Sequence, residues 1–272
     1  MKARSTLLVA LLLAVTVLSG SAAGASAATP TTLQVLPVGD SVRMGLNLPT
    51  ALRIVTIGDS LNTGLGSMNG CGYRTQLKAD LIAAGVTPIF TGVLNGTGAL
   101  DCNIPYGHHG AVLADLQTNV VKWITADAPD VVLIQIGTND ATGSVNGYQA
   151  RYLILLQTIL NAAPSVKVVA SYMPYAVAPW AVNQPSLNVQ IILSTQDAMA
   201  AYPGRVALVN ASKLPCKFRA DGIHPDYYDP IGRWYYEGVA SLFALPPAPA
   251  NSLFYQDQPM PGIHRPATSC PA

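Results

Sequence analysis

The sequence predicts an α/β protein, a three-layer α/β/α sandwich with helices on both faces of a five-stranded parallel sheet. Three observations carry this. Short apolar, β-branched runs alternate with segments of helical period from Leu52 to Leu242. One of these runs, Val131 to Ile136, is apolar at all but one position, as a strand buried on both faces requires. The chain has 272 residues, half of them hydrophobic and 11% charged, enough for a sizeable core.

Leu52 to Ile57 (LRIVTI) is the first strand and runs into Gly58-Asp59-Ser60. Tyr73 to Ala84 reads as a helix, since Tyr73, Leu77 and Leu81 recur every four residues on one face. Pro88 to Val93 is the second strand. Val112 to Ala126 is helical, with Leu113, Leu116, Val120 and Ile124 in period. Val131 to Ile136 (VVLIQI) is a strand of the doubly buried kind. Tyr148 to Ala162 is a helix that stops near Pro164. Val166 to Tyr172 and Val206 to Val209 are the fourth and fifth strands, with a helix from Leu187 to Ala201 between them. Ile231 to Leu242 is the last helix. This alternation implies βαβ units.

Lys2 and Arg4 precede an apolar run from Leu7 to Leu18, and Ala25-Ser26-Ala27 offers a small-x-small cleavage site. Residues 1–27 therefore read as a signal peptide, and the run is short of the roughly 20 residues that a membrane span needs. A secreted protein without a stable membrane anchor is expected. Residues 28–50 form a Thr-, Pro- and Gly-rich leader, 51–244 the domain, and 245–272 a Pro-rich tail. Four cysteines, Cys71, Cys102, Cys216 and Cys270, suggest two disulfides in an exported chain. Three pairings are open. The expectation is Cys71 with Cys102 and Cys216 with Cys270. A net charge of +1 has no basic footprint for nucleic acid. The expected partner is a small-molecule or polysaccharide substrate, and a monomer is expected.

In such a sheet, ligands bind at the carboxyl ends of the strands, near the point where strand order reverses. Four polar motifs fall there. Gly58-Asp59-Ser60-Leu61 follows the first strand and can project a serine; its bland reading is an Asp-Ser helix cap. Gly107-His108-His109-Gly110 precedes the second helix, where Gly110 can bring a bare backbone N–H to a substrate. Adjacent histidines rarely point at one ion and no carboxylate has ligand spacing, so no metal or other cofactor is expected. Gly137-Thr138-Asn139-Asp140 follows the third strand. There Asn139 can offer an amide N–H to an oxyanion, and Asp140 reads as a turn or helix cap. Asp221-Gly222-Ile223-His224-Pro225 places a carboxylate within reach of an imidazole, which fixes the tautomer and leaves the other ring nitrogen for a serine.

These four blocks, in this order, resemble the SGNH hydrolases, also called the GDSL esterase family. The resemblance covers roughly residues 52–242 and implies the flavodoxin-like arrangement of that fold. It implies a catalytic triad of Ser60, His224 and Asp221. It also implies an oxyanion hole of the Ser60 and Gly110 backbone N–H groups and the Asn139 amide. Gly72-Tyr73-Arg74-Thr75 and the long segment up to Gly110 look closest to the secreted carbohydrate acetyl esterases. His109 and Asn62 depart from the residues more usual at their positions. The implied activity is hydrolysis of short-chain, chiefly acetyl, esters through an acyl-enzyme. The alternatives are a lipase for longer acyl chains and a catalytically silent carbohydrate-binding module. Substrate-binding residues are not legible, although Tyr175 and Trp180 have faces that can stack on a sugar ring.

Two decoys compete. Gly39-Asp40-Ser41 repeats the first block, but Ser41 lies in the leader. Gly262-Ile263-His264 imitates the fourth block, with Pro261 where an acid should stand. Ser60→Ala should therefore abolish ester hydrolysis while Ser41→Ala and His264→Ala leave it near wild type, as read by initial rates on a chromogenic short-chain ester. The opposite pattern would move the active site.

Overall fold

A computed structural model describes residues 48–67, 69–92, 105–174, 176, 182–214, 221–225 and 227–248, all within the unit Gly45–Ala272. The signal peptide, nearly all of the leader, most of the tail, both decoys, Tyr175, Trp180, Cys102, Cys216 and Cys270 lie outside the described residues, and with them the expected disulfide pairing.

Strands and helices alternate as β1 (Ala51–Gly58), α1 (Ser60–Thr63), α2 (Arg74–Ala83), β2 (Thr87–Thr91), β3 (Tyr106–Gly107), α3 (Leu113–Asp127), β4 (Val131–Gln135), α4 (Tyr148–Ala162), β5 (Lys167–Tyr172), α5 (Gln184–Ala201), β6 (Val206–Asn210) and α6 (Asp229–Phe243). The sheet order is β2-β1-β4-β5-β6, and every pairing is parallel. The chain leaves β1 on one side to make β2 and returns on the other to make β4. The order therefore reverses beside β1, and its carboxyl end faces the crevice that such reversals create.

Two differences from the sequence reading have physical causes. A sixth strand exists: β3 pairs with the upper end of β1, Ile57 against Tyr106 and Gly58 against Gly107, beyond the stretch of β1 that pairs with β2. Two residues are too few to show a period. Helices α5 and α6 begin at Gln184 and Asp229, ahead of the expected Leu187 and Ile231. Each carries a proline in its first turn, where the missing N–H costs no hydrogen bond.

The sheet divides the core. Val55, Ile57, Val132, Ile134, Val168 and Ala170 face α3, α4 and α5. Leu52, Ile54, Leu133, Val169 and Val209 face α2 and α6. Fully burying one such side chain contributes about 1.5–3 kcal/mol, so the central strands anchor the sandwich. Close backbone approach matters as much at the upper end of β1. A Cβ on Gly107 would stand 1.8 Å from the Gly58 carbonyl oxygen, and one on Gly58 would stand 2.0 Å from that of Gln135. Only glycine lets β3, β1 and β4 converge there.

Several buried polar atoms of the described residues lack a hydrogen-bond partner, and the Tyr152 hydroxyl is one of them. Tyr152 is wholly buried in α4 beside Tyr148, ring centroids 5.9 Å apart, and its hydroxyl has no hydrogen-bond partner among the described residues. Burying an unpaired hydroxyl costs on the order of 1–3 kcal/mol. Tyr152→Phe is expected to raise stability by about 1 kcal/mol, seen as a higher urea midpoint with the slope unchanged. A lower midpoint would show that the hydroxyl is bonded.

Candidate active site

Three of the four motifs sit at the carboxyl ends of β1, β3 and β4, and the fourth lies between β6 and α6. Ser60 opens the single turn α1, directly after β1. Its Oγ lies 2.8 Å from Nε2 of His224. On the other side of the ring, His224 Nδ1 lies 2.8 Å from Asp221 Oδ2. Ser60 and His224 are 6% and 7% exposed, which shields their contact from water.

The Asp221 carboxylate is held by its own loop. Oδ1 accepts the backbone N–H of Ile223 at 2.9 Å and of His224 at 3.0 Å. Burial raises its pKa, but these two N–H bonds and the imidazole together outweigh that and hold the group below the ordinary carboxylate value. An ionised carboxylate only accepts, so Nδ1 carries the ring proton. Nε2 is left as the acceptor that faces the Ser60 hydroxyl.

Asp59 does two things. Its Oδ1 accepts Leu61 N–H at 3.0 Å and so caps the turn that Ser60 opens. Its Oδ2 accepts Thr138 N–H at 3.3 Å, 79 residues away in the third motif. The cap reading of Asp-Ser and the site reading therefore hold together. Asp59 is fully buried, and desolvation pushes its pKa up to about 6 despite these bonds.

The third motif is fastened in turn to the second. Asn139 Nδ2 donates to the Ala111 carbonyl at 2.8 Å. An amide nitrogen carries two hydrogens, so a second N–H remains for an oxyanion. Asp140 caps, as the sequence suggested, but it caps a helix from another segment. Both its oxygens accept Leu113 N–H, at 3.3 and 3.1 Å, at the start of α3. Gly110 has φ +80° and no described atom within 4 Å of where a Cβ would stand, so its backbone borders open space.

The two histidines of the second motif are exposed. His108 Nδ1 lies 2.9 Å from the His109 carbonyl and its Nε2 lies 3.8 Å from Asp115. Desolvation, then the fields of His224 and His108, lower the His109 pKa. No cluster of three His, Cys, Asp or Glu fit to hold a metal occurs among the described residues.

Asp59 gives a pH test. Its carboxyl is raised in the fold from 3.8 to about 6, so between those values the folded state binds the extra proton and stability falls as pH rises. At ~1.36 kcal/mol per unit the difference is worth about 3 kcal/mol. Unfolding free energies measured from pH 4 to 7 should decline relative to Asp59→Asn by about that amount. Parallel curves would mean that Asp59 does not bear this burial cost.

The profile described as GDSL-like Lipase/Acylhydrolase matches residues 54–226, more than half of the chain. A family 3 carbohydrate esterase from Clostridium thermocellum is similar in structure, at 25% identity and TM-score 0.63, over 71% of this chain and 98% of that one. A family 3 carbohydrate esterase from Talaromyces cellulolyticus superposes with TM-score 0.58 at 22% identity over 71% and 98%. A lipase/acylhydrolase from Enterococcus faecalis superposes with TM-score 0.53 at 23% identity over 73% and 99%. The two at 22% and 23% identity share the fold. No curated protein matches the chain. The resemblance read from the four motifs is thus borne out: the chain belongs to the GDSL-like lipase/acylhydrolase family and is an ester hydrolase.

Proposed function

We propose that this protein is a secreted serine esterase that removes short acyl groups, acetyl above all, from a polar alcohol such as a sugar. The observation that carries the reading is the continuous line Ser60 Oγ, His224 Nε2, His224 Nδ1, Asp221 Oδ2, with 2.8 Å at each hydrogen bond. His224 Nε2 takes the Ser60 proton as Oγ attacks the ester carbonyl. The developing oxyanion is met by the Ser60 and Gly110 N–H groups and the free N–H of Asn139. The imidazolium, stabilised by Asp221, returns its proton to the leaving alcohol. The same nitrogen then takes a proton from water, whose oxygen attacks the acyl-enzyme. Collapse of the second intermediate returns that proton to Ser60 and releases the acid. Each proton taken is given back, and no cofactor enters the balance.

Several observations support the finer reading. The likeness at 25% identity is to a carbohydrate esterase. Between Ser60 and His224, beyond the helices that alternate with the strands, no segment reads as an amphipathic apolar lid of the sort that covers a long acyl chain. Secretion rests on the N-terminal Lys2, Arg4, the apolar run and Ala25-Ser26-Ala27. The even cysteine count fits an oxidising compartment, with Cys71–Cys102 and Cys216–Cys270 as the proposed pairs.

An acyl pocket without room for added methylenes penalises each misfit by about 1–3 kcal/mol, or several-fold to about a hundredfold in rate. kcat/KM should therefore fall from acetyl through butyryl to octanoyl and palmitoyl esters of one leaving group, and acetate should be released from acetylated xylan. Rates that climb with chain length, with no acetate released, would make this a lipase. Asp221→Asn should lower kcat by orders of magnitude.

A further inference from the structure

The motif Gly72-Tyr73-Arg74 stands outside the proposed chemistry, yet its side chains converge on the turn that bears Ser60. Tyr73 and Arg74 are 0% and 1% exposed, and so is Asn62, at 0%. The Tyr73 hydroxyl is hydrogen-bonded to the Asn62 side chain. In the amide orientation that satisfies every partner, Asn62 Nδ2 donates to that hydroxyl while Oδ1 accepts from Gly58 N–H at 3.1 Å and Ile57 N–H at 3.3 Å. The Arg74 guanidinium donates to the Asn62 carbonyl through Nη1. Its Nη2 donates to the carbonyls of Thr63 at 3.2 Å and Gly70 at 3.3 Å. Two glycines allow this approach: a Cβ on Gly72 would stand 2.6 Å from Gly64 Cα, and one on Gly64 would stand 2.5 Å from Gly72 N.

We propose that Tyr73 and Arg74 are positioning residues for the nucleophile: they clamp Asn62 and Thr63, and through them hold Ser60 in register with His224. The inference rests on Ser60 being the nucleophile. Asp59 fixes only the start of α1, a turn of four residues. Asn62 ties the middle of the turn to β1, and without Tyr73 and Arg74 that amide and the far end of the turn can pivot, carrying the Ser60 Oγ and N–H with them. Displacement of reacting groups by about 1 Å can cost on the order of a hundredfold. A buried guanidinium suits the task, because its planar fork reaches carbonyls from two separate loops at once. Removing it from water is expensive, and desolvation lowers its pKa. Nothing about packing alone calls for a charge there.

The test separates positioning from stability. Tyr73→Phe deletes the hydroxyl but keeps the ring against Tyr235, at 4.7 Å between centroids. Losing one such hydrogen bond should lower kcat roughly tenfold, with KM held within about twofold. Inactivation by a fluorophosphonate, which reads the serine without the substrate pocket, should slow by the same factor. If Tyr73 acts through Asn62, the double variant Asn62→Ala with Tyr73→Phe should be no slower than Asn62→Ala alone. Arg74→Lys, which can meet one carbonyl, should label faster than Arg74→Met. Tyr152→Phe, a buried hydroxyl deleted on the opposite face, should label at the wild-type rate. Wild-type labelling in Tyr73→Phe, even with a lowered Tm, overturns the proposal, as do losses that multiply in the double variant. Should Tyr73→Phe not fold, wild-type labelling of Arg74→Lys overturns it equally. Activity surviving in Ser60→Ala would instead sink the nucleophile assignment, a distinct outcome.

Discussion

A single carboxylate kept from water sets the spacing on which the site depends. Asp59 accepts one N–H from the residue after Ser60 and another from the residue before Asn139. One carboxyl group thus ties the backbone of the first motif to that of the third. The fold bears a desolvation cost for this, visible as a carboxyl held near 6. Around that link the other motifs close. Gly58 and Gly107 bring β1 and β3 together, Asn139 holds Ala111, Asp140 caps α3, and His224 reaches Ser60. Apart from the strand pairing and the Ser60–His224 contact, each of these links joins one polar side chain to a backbone group.

The two faces of the sheet are built differently. The strands present apolar residues to α3, α4 and α5, and the buried polar groups of that layer include Gln184, Asn188, Ser194 and Thr195 of α5. The face toward α2 and α6 turns polar at its upper end, where Thr56, Asn62, Gln135 and Ser171 are buried with Tyr73, Tyr228 and Tyr235. Tyr235 bonds the Ile134 carbonyl at 3.1 Å and Tyr228 that of Leu65 at 2.7 Å. The bonded groups among them specify one arrangement more sharply than hydrocarbon does, while the Gln135 amide has no partner among the described residues. That layer lies beneath the turn bearing Ser60, where a misplacement is most costly.

What was legible in the sequence was local. Each major strand and helix announced itself through period, and the Asp221 to His224 contact follows from a spacing of three residues. The four motifs stood in an order whose chemistry could be read. What was hidden depends on residues far apart in the chain. The second bond of Asp59 goes to Thr138, and Asp140 caps a helix that begins 27 residues earlier. No local pattern announces either bond. Strand β3 has no sequence signal because pairing with Gly58 and Ile57, not hydrophobicity, makes it a strand. Prolines at the starts of α5 and α6 hid the true first turns. In the sequence the triplet Gly72-Tyr73-Arg74 is only a likeness; its physical work shows when Arg74 meets the carbonyls of Asn62, Thr63 and Gly70.

The hydrogen bond between Ser60 and His224 joins residues 164 apart. During synthesis β1 emerges early and finds β2 through a short crossover, whereas its other neighbour, β4, arrives much later. The imidazole comes after β6, just ahead of the final helix. Non-local closures of this kind are slow, because loop entropy must be overcome before any contact rewards it. On the proposed mechanism, Ser60 leaves the ribosome well ahead of its base, and reactivity waits on that long-range closure.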